Sequence, residues 1–275
     1  MVLNELNKTT ANKKMTSRII TLLTDFGYRD AFVGTMKGIV LRIDPGATIV
    51  DISHGIDPGD IQAASFVLAQ SFPYYPSGTI HVIVVDPGVG TGRKAVAVKT
   101  EKAFFIAPDN GVLSQLYAVQ EKCVVREIAN SNLFVHPVSR TFHGRDIFAP
   151  VAAHLSAGVP FANLGPEIHD YNRGSYKFPQ KKAGTIIGEI IYIDRFGNLI
   201  SNISQADFPD KEIRSIQIKD IHLDHLSDSY GEKNVGEALA IIGSHGFLEI
   251  AVREEHAAKK FGLYVGSEIR ITFAG

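Results

Sequence analysis

Polar side chains with catalytic chemistry follow the apolar runs in the first half of the chain. Asp25 stands in TDFG directly after the run RIITLL, and Asp86 opens the loop DPGVGTGR after the run HVIVV. The same loop ends at Arg93, and His143 stands in TFHGRD just before a predicted helix. Ligands of open α/β sheets bind beyond the carboxyl ends of the strands, where Asp25 and Asp86 are predicted to lie. A carboxylate at Asp25 suits a vicinal ribose diol, because it can accept two hydrogen bonds.

Each of these motifs also has a purely structural interpretation. Asp25 is equally typical of a turn or a helix cap, and Asp86 with Arg93 is typical of an ion pair across a loop. A lone histidine such as His143 is often structural, although Gly144 beside it permits close approach of the backbone. The glycines of DPGVGTGR do not predict a phosphate-binding loop, because the segment leads into the strand-like run KAVAV and lacks the Lys-Ser/Thr pair of a P-loop.

The second half of the chain contains a similar set in DRFGNLISN. Asp194, Phe196 and Asn198 combine a carboxylate, an aromatic ring and an amide, which can hold an amine, stack on a base and bind its edge. FGN is also an ordinary hairpin turn. Ser244 in SHGF is open to the same two interpretations. The histidines of HLDH, at positions 222 and 225, lack a third ligand at metal-binding spacing and predict a surface location.

Alternating strand-like and helix-like runs predict the scaffold that holds the first set of motifs. This alternation is typical of a Rossmann-like α/β domain with a mostly parallel sheet. Asp30 and Asp60 are the predicted N-caps of the first two helices. The predicted strands are 18–23, 48–52, 79–85, 95–98 and 103–106, and the predicted helices are 31–43, 60–72, 112–119 and 147–155.

The composition changes after residue 166, which predicts a second domain. Residues 167–183 are polar and lack periodicity, as in a linker, and residues 184–275 contain mainly strand-like runs. We therefore predict an α/β domain over 18–166 and a smaller β-rich domain over 184–275. Residues 1–17 are polar without the apolar core of a signal peptide, which predicts a disordered extension, with Met15 as an alternative start.

Composition and charge limit which classes of binding partner are expected for this chain. The chain has 28 Lys and Arg against 29 Asp and Glu, a formal charge of −1, so nothing in the overall charge favours nucleic acid or an anionic membrane. The apolar runs fall well short of the roughly 20 residues of a membrane span. Cys123 is the single cysteine, which excludes an internal disulfide and favours a reducing, cytoplasmic location. A small-molecule ligand is therefore the expected partner.

Five motifs in this order, TDFG, DPGVGTGR, TFHGRD, DRFGN and SHGFLEIAV, resemble the S-adenosylmethionine (SAM) hydroxide adenosyltransferase family, formerly DUF62. Relatives of that family include fluorinase and chlorinase, and the resemblance spans residues 18–274. It implies an N-terminal α/β domain, a smaller C-terminal β-barrel-like domain and a homotrimer with its sites at the subunit interfaces. It also implies hydrolysis of S-adenosyl-L-methionine to adenosine and L-methionine, with no metal or further cofactor.

The resemblance assigns roles by matching position. The family's Asp-Arg-His set at the attacking water matches Asp86, Arg93 and His143, and the residue that holds the ribose hydroxyls matches Asp25. The remaining matches are Phe196 and Asn198 for adenine, Asp194 and Ser244 for methionine, and Ala257, across an alignment gap, for a backbone contact to adenine.

Two departures from fluorinase favour water over halide as the nucleophile. Asp86 stands where fluorinase has a tyrosine, and Gly144 stands where fluorinase has the serine that contacts halide. A carboxylate repels a halide by about 4 kcal/mol at 4 Å and an effective dielectric of 20. Which of Asp86 and His143 takes the proton of water is open. The alternatives are a 5′-halogenase, a SAM or adenosine sensor without turnover, and a metal phosphoesterase that uses Asp25, Asp86, Asp109 and His143.

Overall fold

A computed structural model describes residues 19–120 and 122–274 of the chain. The predicted extension at 1–17 lies outside the described residues. The chain divides into two compact units, of which the first ends at Gly174 and the second begins at Ser175. In the described part of the chain, no helix has the length and apolar character that a membrane span needs.

The first unit is an α/β fold around a six-stranded sheet. Its elements are β1 (Ile19–Thr24), α1 (Phe32–Ile43), β2 (Thr48–Ser53), α2 (Ile61–Ser71), β3 (Ile80–Val84), β4 (Ala95–Lys99), β5 (Phe104–Pro108), α3 (Ser114–Val119), β6 (Val124–Glu127) and α4 (Ala149–Ser156). The strand order is β2-β1-β3-β5-β4-β6. The pairs β1–β2, β1–β3 and β3–β5 are parallel, and β4 is antiparallel to both β5 and β6. The predicted α/β class is confirmed.

Both faces of this sheet are covered, so its central strands are apolar on both sides. All five residues of β3 are buried. Val82 and Val84 pack into the core beneath α1 and α4, whereas Ile83 packs into the core beneath α2 and α3. A strand buried on both faces is read in sequence as an uninterrupted apolar run, which is the pattern HVIVV.

Of the two predicted helix N-caps, one is confirmed and one is wrong. Asp60 caps α2 as predicted, because its carboxylate accepts the Ala63 N–H at 2.9 Å. The predicted Asp30 cap of α1 is wrong. The N-cap position is Ala31, without a side-chain cap, and Asp30 lies one residue too early to reach the first free amides of the helix.

The second unit is a β-rich, barrel-like domain, which confirms that part of the fold prediction. Its elements are β7 (Gln180–Lys182), β8 (Thr185–Ile193), β9 (Leu199–Ser204), β10 (Ile213–Ile218), β11 (Ile221–Leu223), β12 (Ala238–Ile242), β13 (Phe247–Val252), α5 (Ala257–Phe261) and β14 (Glu268–Phe273). The strand order is β11-β10-β14-β8-β9-β13-β12, with β7 also on β8, and all these pairs are antiparallel. The sequence analysis missed the strands β7 and β11, which have three residues each, and the single-turn helix α5, as well as β6 in the first unit, which has four residues.

Candidate functional site

The loop after β3 is fixed against the neighbouring backbone. Asn110 donates through Nδ2 to the carbonyl of Val85 at 2.9 Å, which holds the end of the strand. Gly90 has φ +77°, and a Cβ there would lie 2.2 Å from the carbonyl oxygen of Arg140. This position therefore requires glycine, both for its backbone angle and for the close approach. Gly90 thus shapes a turn in the loop DPGVGTGR.

Arg93 joins the two other members of the predicted catalytic set. Its Nε donates to Asp86 Oδ1 at 3.0 Å, and its Nη2 makes a very short contact with Asp86 Oδ2. The same Nη2 lies 2.8 Å from His143 Nδ1. Because a guanidinium can only donate, Nδ1 accepts and the neutral imidazole has its proton on Nε2. The guanidinium also stacks over the ring of Phe148, 5.3 Å from its centroid.

His143 is held at the start of a widened helical turn. Residues Gly144–Phe148 form a π-helix that continues into α4. Asp146 in this turn is fully buried, pairs with Arg145 and accepts the Ser139 N–H at 2.8 Å. Burial lowers the pKa of His143, and the positive charge of Arg93 lowers it further. The imidazole is therefore neutral at pH 7.

A cavity of about 470 Å³ brings three predicted residues together in the first unit. Asp25, Asp86 and His143 line it, and Arg93 lies behind Asp86 and His143. Asp25 Oδ2 accepts the Gly59 N–H at 2.8 Å, so this turn is tied to the segment before α2. The carboxylates and the imidazole therefore face one space.

Three phenylalanines form the apolar wall of this cavity, and sequence reasoning missed them. The ring centroids of Phe26 and Phe32 are 5.4 Å apart, and those of Phe32 and Phe142 are 5.1 Å apart. The available signal was position, since Phe26 follows Asp25 directly and Phe142 precedes His143. Such a wall excludes water from one side of a bound ligand.

Gly144 lies in the cavity wall with little room for a side chain. A Cβ there would lie 3.1 Å from Met36 Sδ and 3.2 Å from Phe142 Cε2. A serine would have to displace the thioether or the ring. Gly144 thus leaves this part of the wall without a hydroxyl, and a serine there would require its neighbours to shift by a few tenths of an ångström.

A second cavity, of about 710 Å³, lies in the second unit and is lined by Asp194, Phe196, Asn198 and Ser244. Asp194 Oδ1 and Oδ2 accept the backbone N–H and the Nδ2 of Asn198 at 2.9 and 3.0 Å, which closes the β8–β9 turn. Phe196 at the tip of that turn is 76% exposed. An exposed ring beside a fixed amide is suited to stacking on a flat heterocycle.

Ala257 lies at the edge of this region rather than in the cavity wall. It is fully buried as the first residue of α5, and the preceding His256 lines the cavity. A Cβ on Gly197 would overlap the His256 ring at 2.0 Å, so the hairpin tip packs directly on the start of α5.

Glu249 and Tyr230 are cavity residues that the sequence reasoning missed. Glu249 is 4% exposed and accepts a hydrogen bond from the Tyr230 hydroxyl at 2.7 Å. Burial raises the pKa of Glu249, and the nearby charge of Asp194 raises it further. The available signal was a single charged residue inside the apolar strand FLEIAV.

Comparison with known proteins gives two family models, which together cover most of the chain. The N-terminal domain of SAM hydroxide adenosyltransferase matches residues 20–165, and its C-terminal domain matches residues 188–270. The chain belongs to the SAM hydroxide adenosyltransferase family. The candidate catalytic residues of the first unit lie in the N-terminal family domain, and the second cavity lies in the C-terminal one.

Relatives within and beside the SAM hydroxide adenosyltransferase family support this assignment. An (R)-S-adenosyl-L-methionine hydrolase from Salinispora tropica is 34% identical over 92% of this chain and 97% of its own length. A crystal structure of an uncharacterized conserved protein from Thermotoga maritima superposes with a TM-score of 0.85 at 37% identity, covering 92% of this chain and 99% of that one. A fluorinase from Actinoplanes is 26% identical over 93% of this chain and 98% of its own length.

Proposed function

We propose that the chain hydrolyses S-adenosyl-L-methionine to adenosine and L-methionine. The observation that carries this proposal is the joint contact of Arg93 with Asp86 and His143 at the wall of a cavity that also contains Asp25. The curated relative from Salinispora tropica carries the same activity in its name. That name specifies the (R) sulfonium, and we propose the same preference here.

In this reaction a water attacks the ribose 5′ carbon in line with the departing sulfur. The new bond joins the water oxygen to the 5′ carbon, and the electrons of the broken carbon–sulfur bond neutralise the sulfonium. The leaving group is a neutral thioether and needs no acid. What the protein supplies is orientation and an acceptor for the water proton.

Asp86 is the proposed acceptor for that proton. Arg93 already donates to His143 Nδ1, so the remaining ring nitrogen of His143 carries a hydrogen and acts as a donor. A carboxylate has about four lone-pair positions, and Arg93 occupies one on each oxygen of Asp86. Asp86 can therefore accept from water while His143 Nε2–H orients its oxygen.

The substrate-binding roles remain proposals carried over from the family. Asp25 would hold the ribose hydroxyls, while Phe196 and Asn198 would hold adenine. Asp194 and Ser244 would hold the methionine part. Ala257 would offer a backbone contact to adenine, although its side chain is buried.

We further propose a homotrimer with its sites at subunit interfaces, no cofactor, and a cytoplasmic location. The trimer is supported by family membership. The location is supported by Cys123, the single cysteine, which is free and half-buried.

Chromatography of the products tests the proposed reaction. Purified protein is incubated separately with the (R) and (S) diastereomers of S-adenosyl-L-methionine, with and without chloride and a chelator. Adenosine and methionine in equal amounts, indifferent to chloride and chelator and faster from the (R) form, are expected. A 5′-chloro nucleoside indicates a halogenase, loss of activity with chelator indicates a metal enzyme, and tight binding without product indicates a sensor.

A further inference from the structure

A buried polar network that the proposed reaction does not use lies beneath Asp25. His54 is 1% exposed and Thr24 is fully buried. His54 Nδ1 lies 2.7 Å from Thr24 Oγ1, and His54 Nε2 lies 3.1 Å from Asp51 Oδ1. The order of hydroxyl, imidazole and carboxylate is that of a hydrolase triad. Because Thr24 is fully buried, its hydroxyl cannot attack a substrate, and the network must act on the protein itself.

Asp51 sets the direction of the hydrogen bonds in this network. Its Oδ2 accepts from Lys37 Nζ at 2.7 Å and from the Tyr28 hydroxyl at 3.1 Å. Burial tends to raise the pKa of Asp51, but the hydrogen bond from Lys37 and the nearness of His54 outweigh it and hold the pKa below its ordinary value. Asp51 Oδ1 and His54 Nε2 lie 3.1 Å apart but are not aligned for a hydrogen bond. An ionised carboxylate at this distance still favours a proton on Nε2, so Nδ1 accepts from the Thr24 hydroxyl.

The other end of the network holds the two amides that follow Asp25. Thr24 Oγ1 accepts the Phe26 N–H at 3.2 Å, and the carbonyl of His54 accepts the Gly27 N–H at 2.8 Å. His54 therefore holds the Asp25–Gly27 turn twice, once through Thr24 and once through its own backbone. The turn then presents Asp25 and Phe26 to the cavity.

We propose that Thr24 and His54 are positioning residues for the nucleoside part of the substrate. They fix the Asp25–Gly27 turn so that the Asp25 carboxylate is already placed for the ribose hydroxyls when the substrate arrives. This inference rests on the proposed function, in which Asp25 binds the ribose. A preorganised carboxylate loses less free energy on binding than one that must first be ordered.

The chain provides a matched control for this role. Thr21 lies on the same strand, is also fully buried, and its Oγ1 lies 2.8 Å from Nδ1 of the buried His81. The Thr21–His81 pair thus repeats the Thr24–His54 pair, but the residues beside Thr21 do not line the cavity, whereas Asp25 and Phe26, which follow Thr24, do. Thr21→Val and Thr24→Val remove the same hydroxyl from equally buried positions.

The test compares the kinetics of these variants. Thr24→Val is expected to raise KM for S-adenosylmethionine about tenfold, with kcat changed much less, since the lost hydroxyl serves binding. Thr24→Ser keeps the hydroxyl and is expected to restore most of the affinity. Thr21→Val is expected to lower the melting temperature but leave KM unchanged. In an Asp25→Asn background, Thr24→Val is expected to add little, because it acts through Asp25.

Two results would overturn the inference while leaving the proposed function intact: an unchanged KM in Thr24→Val, or additive effects of Thr24→Val and Asp25→Asn. If the wild type yields no adenosine, the proposed function fails, and hydrogen exchange then tests the positioning alone. Faster exchange of the Phe26 and Gly27 amides in Thr24→Val but not in Thr21→Val supports it. Equal exchange in the two variants contradicts it.

Discussion

His143 Nδ1 accepts a hydrogen bond from Arg93 Nη2 at 2.8 Å, so the imidazole of the resting site has its proton on Nε2. In the proposed reaction this contact gives the two side chains different roles, with His143 as the donor to the attacking water and the Asp86 carboxylate as the acceptor of the water proton. It also makes Arg93 the common support of both. The first two predictions follow from this arrangement.

Asp86→Asn is expected to lower kcat by about 10²- to 10⁴-fold, the typical contribution of a general base, with KM changed little. The amide keeps the shape of the side chain but does not accept a proton from water. His143→Asn removes the Nε2–H of the imidazole rather than the base and is expected to cost less. Steady-state kinetics of both variants check the order, and a larger loss in His143→Asn would assign the base to the imidazole.

The pH dependence of the wild type is expected to follow His143. Burial and Arg93 lower the pKa of this imidazole below its ordinary value of 6.5, so the neutral form persists below pH 6.5. Activity should therefore hold at pH 6.5 and fall only at lower pH, where a proton on Nδ1 would face the guanidinium. A pH profile of kcat/KM checks this. A profile that already falls at pH 7 would contradict a hydrogen bond donated by Arg93 Nη2 to His143 Nδ1.

Gly90→Ala is expected to destabilise the protein by about 1–3 kcal/mol or more, because the new Cβ would meet the Arg140 carbonyl at a left-handed backbone angle. Gly92→Ala is the control, since Gly92 lies in the same loop with no atom near its Cβ position and no left-handed angle. Thermal unfolding of both variants provides the measurement. Equal melting temperatures would show that the loop adapts.

Phe196→Ala is expected to leave the melting temperature unchanged but raise KM by about tenfold, since stacking of a base on an aromatic ring contributes about 1–3 kcal/mol. Tyr264 is an equally suitable control, being 69% exposed in the same unit, while Phe196 is 76% exposed. Tyr264→Ala should change neither quantity. If both variants bind substrate like the wild type, Phe196 does not hold adenine.

His81 predicts an acid-sensitive core. Burial lowers the pKa of His81 to about 3, and its ring stacks on Phe105 with centroids 5.0 Å apart. In the unfolded chain His81 is protonated as the pH falls through about 6.5, whereas in the folded chain it is protonated only near pH 3. This contribution to stability is therefore complete above pH 6.5 and is lost as the pH falls towards 3, by up to about 1.4 kcal/mol per pH unit. Urea unfolding at pH 7 and 5 checks it, with His81→Leu expected to show the smaller difference.

The sequence predicts a strand or helix best where a single factor, such as burial on both faces of a sheet, determines its residue types. The strand containing Val82 is apolar because both faces of the sheet are covered, and Asp86 at its end follows from that register. For the loop DPGVGTGR the sequence left two interpretations open, an ion pair or a ligand site. The Asp86–Arg93 ion pair lies at the wall of a cavity, so the two interpretations are compatible.

Features that depend on packing between distant parts of the chain could not be predicted from the sequence. Asp30 is a good capping residue, but the helix begins one residue too late for it. Phe32 has the spacing of a helix core residue, yet it stands 44% exposed beside Phe142, more than one hundred positions away in the chain. The residue at which a helix begins and the ring that packs against a given phenylalanine both depend on more than the neighbouring sequence.

The π-helix Gly144–Phe148 holds one residue more than an α-helical turn would. Deleting a single residue from it would therefore close the turn to α-helical winding and leave the orientation of α4 unchanged. The segment that carries His143 can thus lose one residue without the rotation of about 100° that the same deletion imposes on a regular helix.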